Sequence, residues 1–321
     1  MKYNPLVLSL LLYVLSIHNG VTLNKDELFE GTWDGVEVMG GNDQQASLVR
    51  TLIPIKIGAS FSPDKDNLKL WCEAVKKKID SSISCSIIGY IEGKYYFNVE
   101  ILPRDAKKDR FRKIPMNSKN ITVPTSLSIL YSSWEQKLTD LMKQGAVPKQ
   151  FYKDGYLQCS DHELQLIAKD LAKKTPQYTD VLLDILRYSH DFEERIKAAT
   201  LISWSKHPDD VVIVIIKENL LNDSSAGVRN ELTRSFSYLI NDVSNQKILK
   251  KAISALCEQL NLPYHSDRTK ALAALIALSQ NNVNLAPFMS CECKDTLSYI
   301  AARSILPNVG GGGLLKKFWQ V

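Results

Sequence analysis

Apolar positions along this chain change their spacing near residue 130. From residue 28 to about 130, short alternating or β-branched runs recur at Val36–Val38, Leu48–Ile57, Leu68–Val75, Ile83–Ile91, Tyr95–Leu102 and Ile121–Tyr131. Turn formers separate them at Gly40-Gly41-Asn42, Ser62-Pro63-Asp64 and Glu92-Gly93. Period-two runs bounded by such residues predict strands. Ser84–Ile101 predicts a β-hairpin turning near Glu92-Gly93-Lys94, because both flanks are rich in Ile, Tyr, Phe and Val. Strands joined in this way pack as an antiparallel sheet or a small β-barrel.

A helical spacing then takes over. Ser133-Trp134-Glu135 opens a helix carrying Leu138, Leu141 and Met142, and Pro148, Asp154 and Gly155 mark a linker behind it. From Ser160 the helical pattern acquires an internal period. Three segments align by their arginines, Arg195, Arg229 and Arg268, spaced 34 and 39 residues apart. Each follows an apolar helix and a polar turn: Tyr188-Ser189-His190-Asp191, Asn222-Asp223-Ser224-Ser225 and Pro263-Tyr264-His265-Ser266. A degenerate fourth copy falls at Thr296–Ile305. Ala198, Ala199, Ala271, Ala273 and Ala274 let neighbouring helices approach closely.

Over about residues 160–307 this pattern resembles HEAT repeats: two helices per unit, with a polar turn before a second helix led by Arg. The resemblance implies an α-solenoid, because a single helix pair cannot bury its apolar face alone. It also implies a partner surface on the inner helices, with Arg195, Arg229 and Arg268 as the partner-binding residues. The expected fold is therefore α+β, an N-terminal antiparallel sheet or small β-barrel followed by a C-terminal α-solenoid. In the β region, Gly31-Thr32-Trp33 resembles the Gly-x-Trp entry of lipocalin-like barrels. That implies a ligand site beside Trp33 and, as the alternative function, carriage of a small hydrophobic ligand.

The termini set the expected compartment. Met1-Lys2 precedes an apolar run of 13 residues, Pro5–Ile17. A membrane-spanning helix needs about 20, so this run matches the core of a signal peptide. The expected layout is a signal peptide over 1–20, a β-rich domain over 21–131, a helix and linker over 132–159, repeats over 160–307 and a tail over 308–321. In the tail, Gly310–Gly313 form a hinge before Leu314-Leu315-Lys316-Lys317-Phe318-Trp319. That segment either caps the last repeat or meets a membrane surface. Export to a periplasm or the extracellular space would permit disulfides among the six cysteines. Cys72 and Cys85 close a short loop and form the preferred pair, while Cys257, within an apolar helix pattern, is expected as a buried free thiol. Asn120-Ile121-Thr122 and Asn222-Asp223-Ser224 are potential glycan acceptors in a eukaryotic host.

Catalytic signatures are sparse. No Gly-x-Ser-x-Gly motif, no cysteine in an active-site motif and no phosphate-binding glycine loop occurs. Cys159 and His162 with Cys291 and Cys293 could in principle surround zinc. The simpler reading makes Ser160 a helix N-cap and Glu163 its capping-box acid, so neither metal nor cofactor is expected. Glu193-Glu194 and Asp209-Asp210 favour helix starts. The net charge of +5 is too dilute for a dedicated nucleic-acid binder. Its densest basic run, Arg104–Lys113, is expected as a solvated loop guarding a sheet edge, as is Lys76–Lys78. The resulting expectation is an exported, non-enzymatic interaction scaffold whose partner is an envelope, secretion-system or host protein.

Overall fold

A computed structural model describes residues 31–62, 65–79, 83–89, 94–101, 111–115, 121–144, 146, 148–260, 265–281 and 285. The proposed signal peptide, the hairpin turn at 92–93, most of the basic run, Asn120, the fourth repeat copy, Cys291, Cys293 and the C-terminal tail lie outside them. The fold is α+β and divides into two compact units. One holds the described residues up to Ile101 with Asp267 and Arg268, and the other begins at Phe111.

In the sheet unit, four strands lie in the order β2-β1-β4-β3: β1 Gly31–Gly40, β2 Ser60–Phe61, β3 Ser84–Gly89 and β4 Lys94–Ile101. The expected hairpin is present, with Cys85 opposite Val99 and Ile87 opposite Phe97. The sheet is not wholly antiparallel, however, because β1 and β4 run parallel through its centre. A parallel neighbour requires a long crossover, and two helices lie in the intervening chain: α1, Asp43–Leu52, and α2, Lys65–Lys78.

Both helices occupy segments expected as strands, and their apolar spacing explains the difference. Trp71 and Val75 are buried, with Leu68 and Cys72 packed beside them. That is the i, i+3, i+4, i+7 pattern of one helical face rather than alternation. Ala46, Val49, Leu52 and Ile53 repeat it in and just after α1. Asn42 and Gln45 start α1 with a reciprocal capping box. On β4, Tyr95, Phe97, Val99 and Ile101 join the core, leaving Tyr96, Asn98 and Glu100 for the opposite face. The disulfide joins Cys72 on α2 to Cys85 on β3, as expected, across a Cα–Cα distance of 5.8 Å.

The helical unit begins earlier than its pattern suggested. α3 spans Thr125–Lys143 directly after Pro124, so the run expected as a strand at 121–131 is largely helical. Proline fixes a φ suited to a helix entrance and lacks the amide that a strand ladder would need. The expected linker contains a hairpin, β5 Gln150–Lys153 and β6 Tyr156–Cys159. Its turn residues Asp154 and Gly155 both have positive φ, as a two-residue hairpin loop demands. The buried Trp204 indole donates to Leu157 O at 2.9 Å and meets Trp134 edge-on at 5.2 Å, anchoring the hairpin to α3.

The remaining helices are α4 His162–Lys174, α5 Thr179–Tyr188, α6 Phe192–Leu201, α7 Pro208–Lys217, α8 Ala226–Leu239, α9 Gln246–Gln259 and α10 His265–Asn281. The side-chain cap of α4 is Asp161, not Ser160: Asp161 accepts from Leu164 N, whereas the Ser160 hydroxyl accepts from Lys149 N. α5 packs on α6, α6 beside α8, and α7 beside α9. Neutral polar contacts link this packing, Ser203 Oγ with Ser235 Oγ at 2.7 Å and Thr233 Oγ1 with Gln259 Oε1 at 2.9 Å. Among the described residues, no helix is long and apolar enough to cross a membrane.

Candidate functional site

Arg195, Arg229 and Arg268 lie near the starts of alternate helices, α6, α8 and α10, but they are only 3%, 0% and 6% exposed. Arg195 grips both oxygens of Asp223 through Nε and Nη2 at 3.0 Å, while its Nη1 donates to Ser189 O at 2.7 Å. Arg229 Nη1 donates to Asp223 O at 2.7 Å, and its guanidinium stacks 4.2 Å above the Phe111 ring. Arg268 lies 3.6 Å from Glu100. These groups face into the protein, where a partner cannot reach them without rearrangement.

Asp223 is the node of this network and is fully buried. Besides Arg195 it accepts from Ser225 N at 2.8 Å and from Arg112 Nη2 at 2.5 Å. Arg112 also donates to Leu186 O and Arg187 O, and its own amide reaches Asn222 O at 2.8 Å. Burial pulls the Arg112 guanidinium below its ordinary pKa, and the Asp223 carboxylate opposes that pull. Arg112 belongs to the basic run expected as a solvated guard; instead it fastens residues 111–115 to the turn before α8. A bidentate Arg–carboxylate pair suits such a rigid, water-poor joint.

A second cluster lies across α3, α6, α8 and α10, and sequence reasoning missed it. Glu231 and Arg234, one turn apart on α8, form an ion pair and are 17% and 18% exposed. Thr200 on α6 donates to Glu231 Oε2 at 3.4 Å, and Asn230 Nδ2 donates to its Oε1 at 2.9 Å. On α3, Tyr131 and Glu135 are separated by one helical turn and are partly buried. Burial, reinforced by Glu231 and relieved by Arg234, pushes the Glu135 carboxyl from 4.5 up to about 7. The Tyr131 hydroxyl is raised by burial and then by Glu135 and Glu231, while its hydrogen bond with Thr200 acts the other way. Burial brings the Lys270 amine on α10 from 10.5 down to about 8, with Arg234 adding to the fall. Tyr238, on α8, is raised chiefly by burial.

The remaining expected residues serve packing. Trp33 is buried against Phe61 at 4.9 Å and Trp71 at 5.4 Å, both edge-on, so the Gly-x-Trp segment feeds a closed aromatic cluster. Cys159 is a buried free thiol whose pKa is raised by burial. Cys257, expected to be free, is disulfide-bonded. Among the described residues, no group of three His, Cys, Asp or Glu could hold a metal ion. A cavity of ≈ 230 Å³ opens between α7 and α9, with Ile215, Asn219, Lys251, Ser254 and Glu258 among its lining. It falls below the roughly 300–1,000 Å³ common for small-molecule sites.

One signal for the second cluster was available in the sequence. Glu231 and Arg234 sit at i, i+3 just beyond Arg229, where they share one helix face. Comparison with protein-family models, curated proteins and solved structures finds no match for this chain, so its reading rests on these residues and their geometry.

Proposed function

We propose that the protein is an exported, non-enzymatic interaction scaffold. In this reading its helix pairs stack as HEAT-like repeats and present the face bearing Tyr131, Glu135, Glu231, Arg234 and Lys270 to a protein partner. The observation that carries the reading is Glu135: a half-buried carboxyl raised to about 7 by burial and by a neighbouring acid. Such a group opposes folding when ionised, and perturbed groups of this kind concentrate at functional sites. The buried arginines become structural ties within the unit, and the working surface moves to the partly exposed side chains of the same helical layer. Export is supported by the apolar N-terminal run and by disulfides at Cys72–Cys85 and at Cys257.

The test is site-specific photo-crosslinking of the full chain in its native organism. A photoreactive residue at Asn230 on α8 is expected to capture one reproducible, identifiable protein, whereas the exposed Lys217 position on α7 captures none. Capture from Lys217 alone, or from neither position, overturns the reading.

A further inference from the structure

The cavity of ≈ 230 Å³ between α7 and α9 takes no part in the proposed face, yet its lining has a definite polarity. Buried Ile215 and Leu221, with the partly buried Ala255, supply apolar surface. Lys251 and Glu258 also line it, both exposed and both on α9. Their separation of seven residues is close to two helical turns, about 10 Å of axial rise, so the two charges lie on one stripe of the helix. Among the described residues, neither side chain has an ion-pair or hydrogen-bond partner.

The neighbouring elements fix which end is which. Gln259 Nε2 donates to Leu221 O at 2.9 Å, so the C-terminal end of α9 lies beside the turn that follows α7. Glu258 therefore shares its end of the cavity with Asn219, Asn222 and the carbonyl end of α7, where helix polarity favours a cation. Asn222 Nδ2 is spent on Asn219 Oδ1 at 2.6 Å, while Asn222 Oδ1 has no partner among the described residues. Acceptors are in excess at this end. Lys251 places a positive charge two turns away.

We propose that the cavity binds a small linear zwitterion, an ω-amino carboxylate, with its ammonium at the Glu258 end and its carboxylate at Lys251. The methylene chain between them lies along Ile215, Leu221 and Ala255. Such a molecule offers each lone charge its opposite and covers the apolar lining at the same time. An α-amino acid holds its two charges too close together to meet both ends. An alkylamine or an alkyl carboxylate meets only one. The small volume suits a short chain and excludes drug-sized ligands. No residue of the proposed partner face lines this cavity, so the two readings are tested independently.

The experiment titrates the full chain calorimetrically with glycine, γ-aminobutyrate and ε-aminocaproate, and with hexylamine and hexanoate as single-charge controls. Saturable binding of ε-aminocaproate is expected with a dissociation constant below about 1 mM, at least about 10-fold tighter than glycine or either control. Lys251→Met and Glu258→Gln, both at exposed positions, are each expected to weaken it by about 10-fold. Ala255→Leu is expected to abolish it by filling the cavity, with circular dichroism confirming the fold. If that variant fails to fold, the two charge variants decide. Absence of saturable binding up to about 10 mM, equal binding of hexylamine or hexanoate, or unchanged affinity in both charge variants overturns the proposal.

Discussion

The two charged clusters of the helical unit use the same side-chain chemistry to opposite ends. Asp223 is surrounded: Arg112 and Arg195 reach its carboxylate, Ser225 donates its amide, and Arg229 takes the backbone carbonyl. Among the described residues, Glu135 loses water by burial and is repelled by Glu231, with Arg234 giving partial relief. A carboxylate inside such a set of donors as surrounds Asp223 locks the turn that holds them. One left short of partners raises the energy of the folded state when it is ionised. The difference teaches that burial alone does not set what a charge contributes to stability; its pairing does.

The strongest way to break this contrast is Asp223→Asn. Arg112 and Arg195 would then face a neutral amide in a buried site, and stability should fall by about 3–5 kcal/mol, read from urea unfolding followed by circular dichroism. A loss under about 1 kcal/mol would show that the node tolerates missing charge and would erase the distinction.

Glu135→Gln should move stability the other way. Folding raises this carboxyl from 4.5 to about 7, so the folded chain holds the proton more firmly, and stability declines as pH rises through that window. The amide removes the decline. At about pH 8 the variant should be more stable by on the order of 1–3 kcal/mol, and at about pH 4 nearly unchanged. Thermal melts across that range check it, and an unaltered pH profile would mean that Glu135 is compensated in solution.

The smallest effect sharpens the comparison from outside. Arg187 and Glu218 form a pair at 2.5 Å, but the Glu218 side chain is 39% exposed. Glu218→Ala should shift the urea midpoint by the equivalent of less than about 1 kcal/mol. A larger loss would mean that water screens charges in this unit less than the contrast assumes.

Much of the architecture was legible. The hairpin of β3 and β4, the Cys72–Cys85 bridge and the helices at Arg195, Arg229 and Arg268 stood out, because period, turn residues and spacing coincide there. α1 and α2 did not, since short amphipathic helices rich in Val, Ile and Trp satisfy strand-like templates until Leu68, Trp71, Cys72 and Val75 are counted by threes and fours. The 34-residue spacing of Arg195 and Arg229 was visible, but their direction was not. A leading arginine can face solvent or the preceding turn, and only the placement of Asp223 decides between them. The Glu135 cluster was harder still, because Tyr131 and Glu135 join Glu231 and Lys270 only after α3 has folded as a single helix from Thr125.

The bridge between Cys72 and Cys85 also has a mechanical side. It closes a loop with a sequence separation of 13 residues and holds its ends 5.8 Å apart. At about 3.5 Å of extended chain per residue, the closed loop withholds roughly 40 Å of contour length from any force that stretches the polypeptide end to end. Pulled in an optical trap, the oxidised sheet unit should therefore unravel in a shorter step than the reduced one. The same covalent knot makes the chain double-stranded at that point, too wide for a pore that admits only a single extended strand. Threading through such a pore would have to precede closure of the bridge.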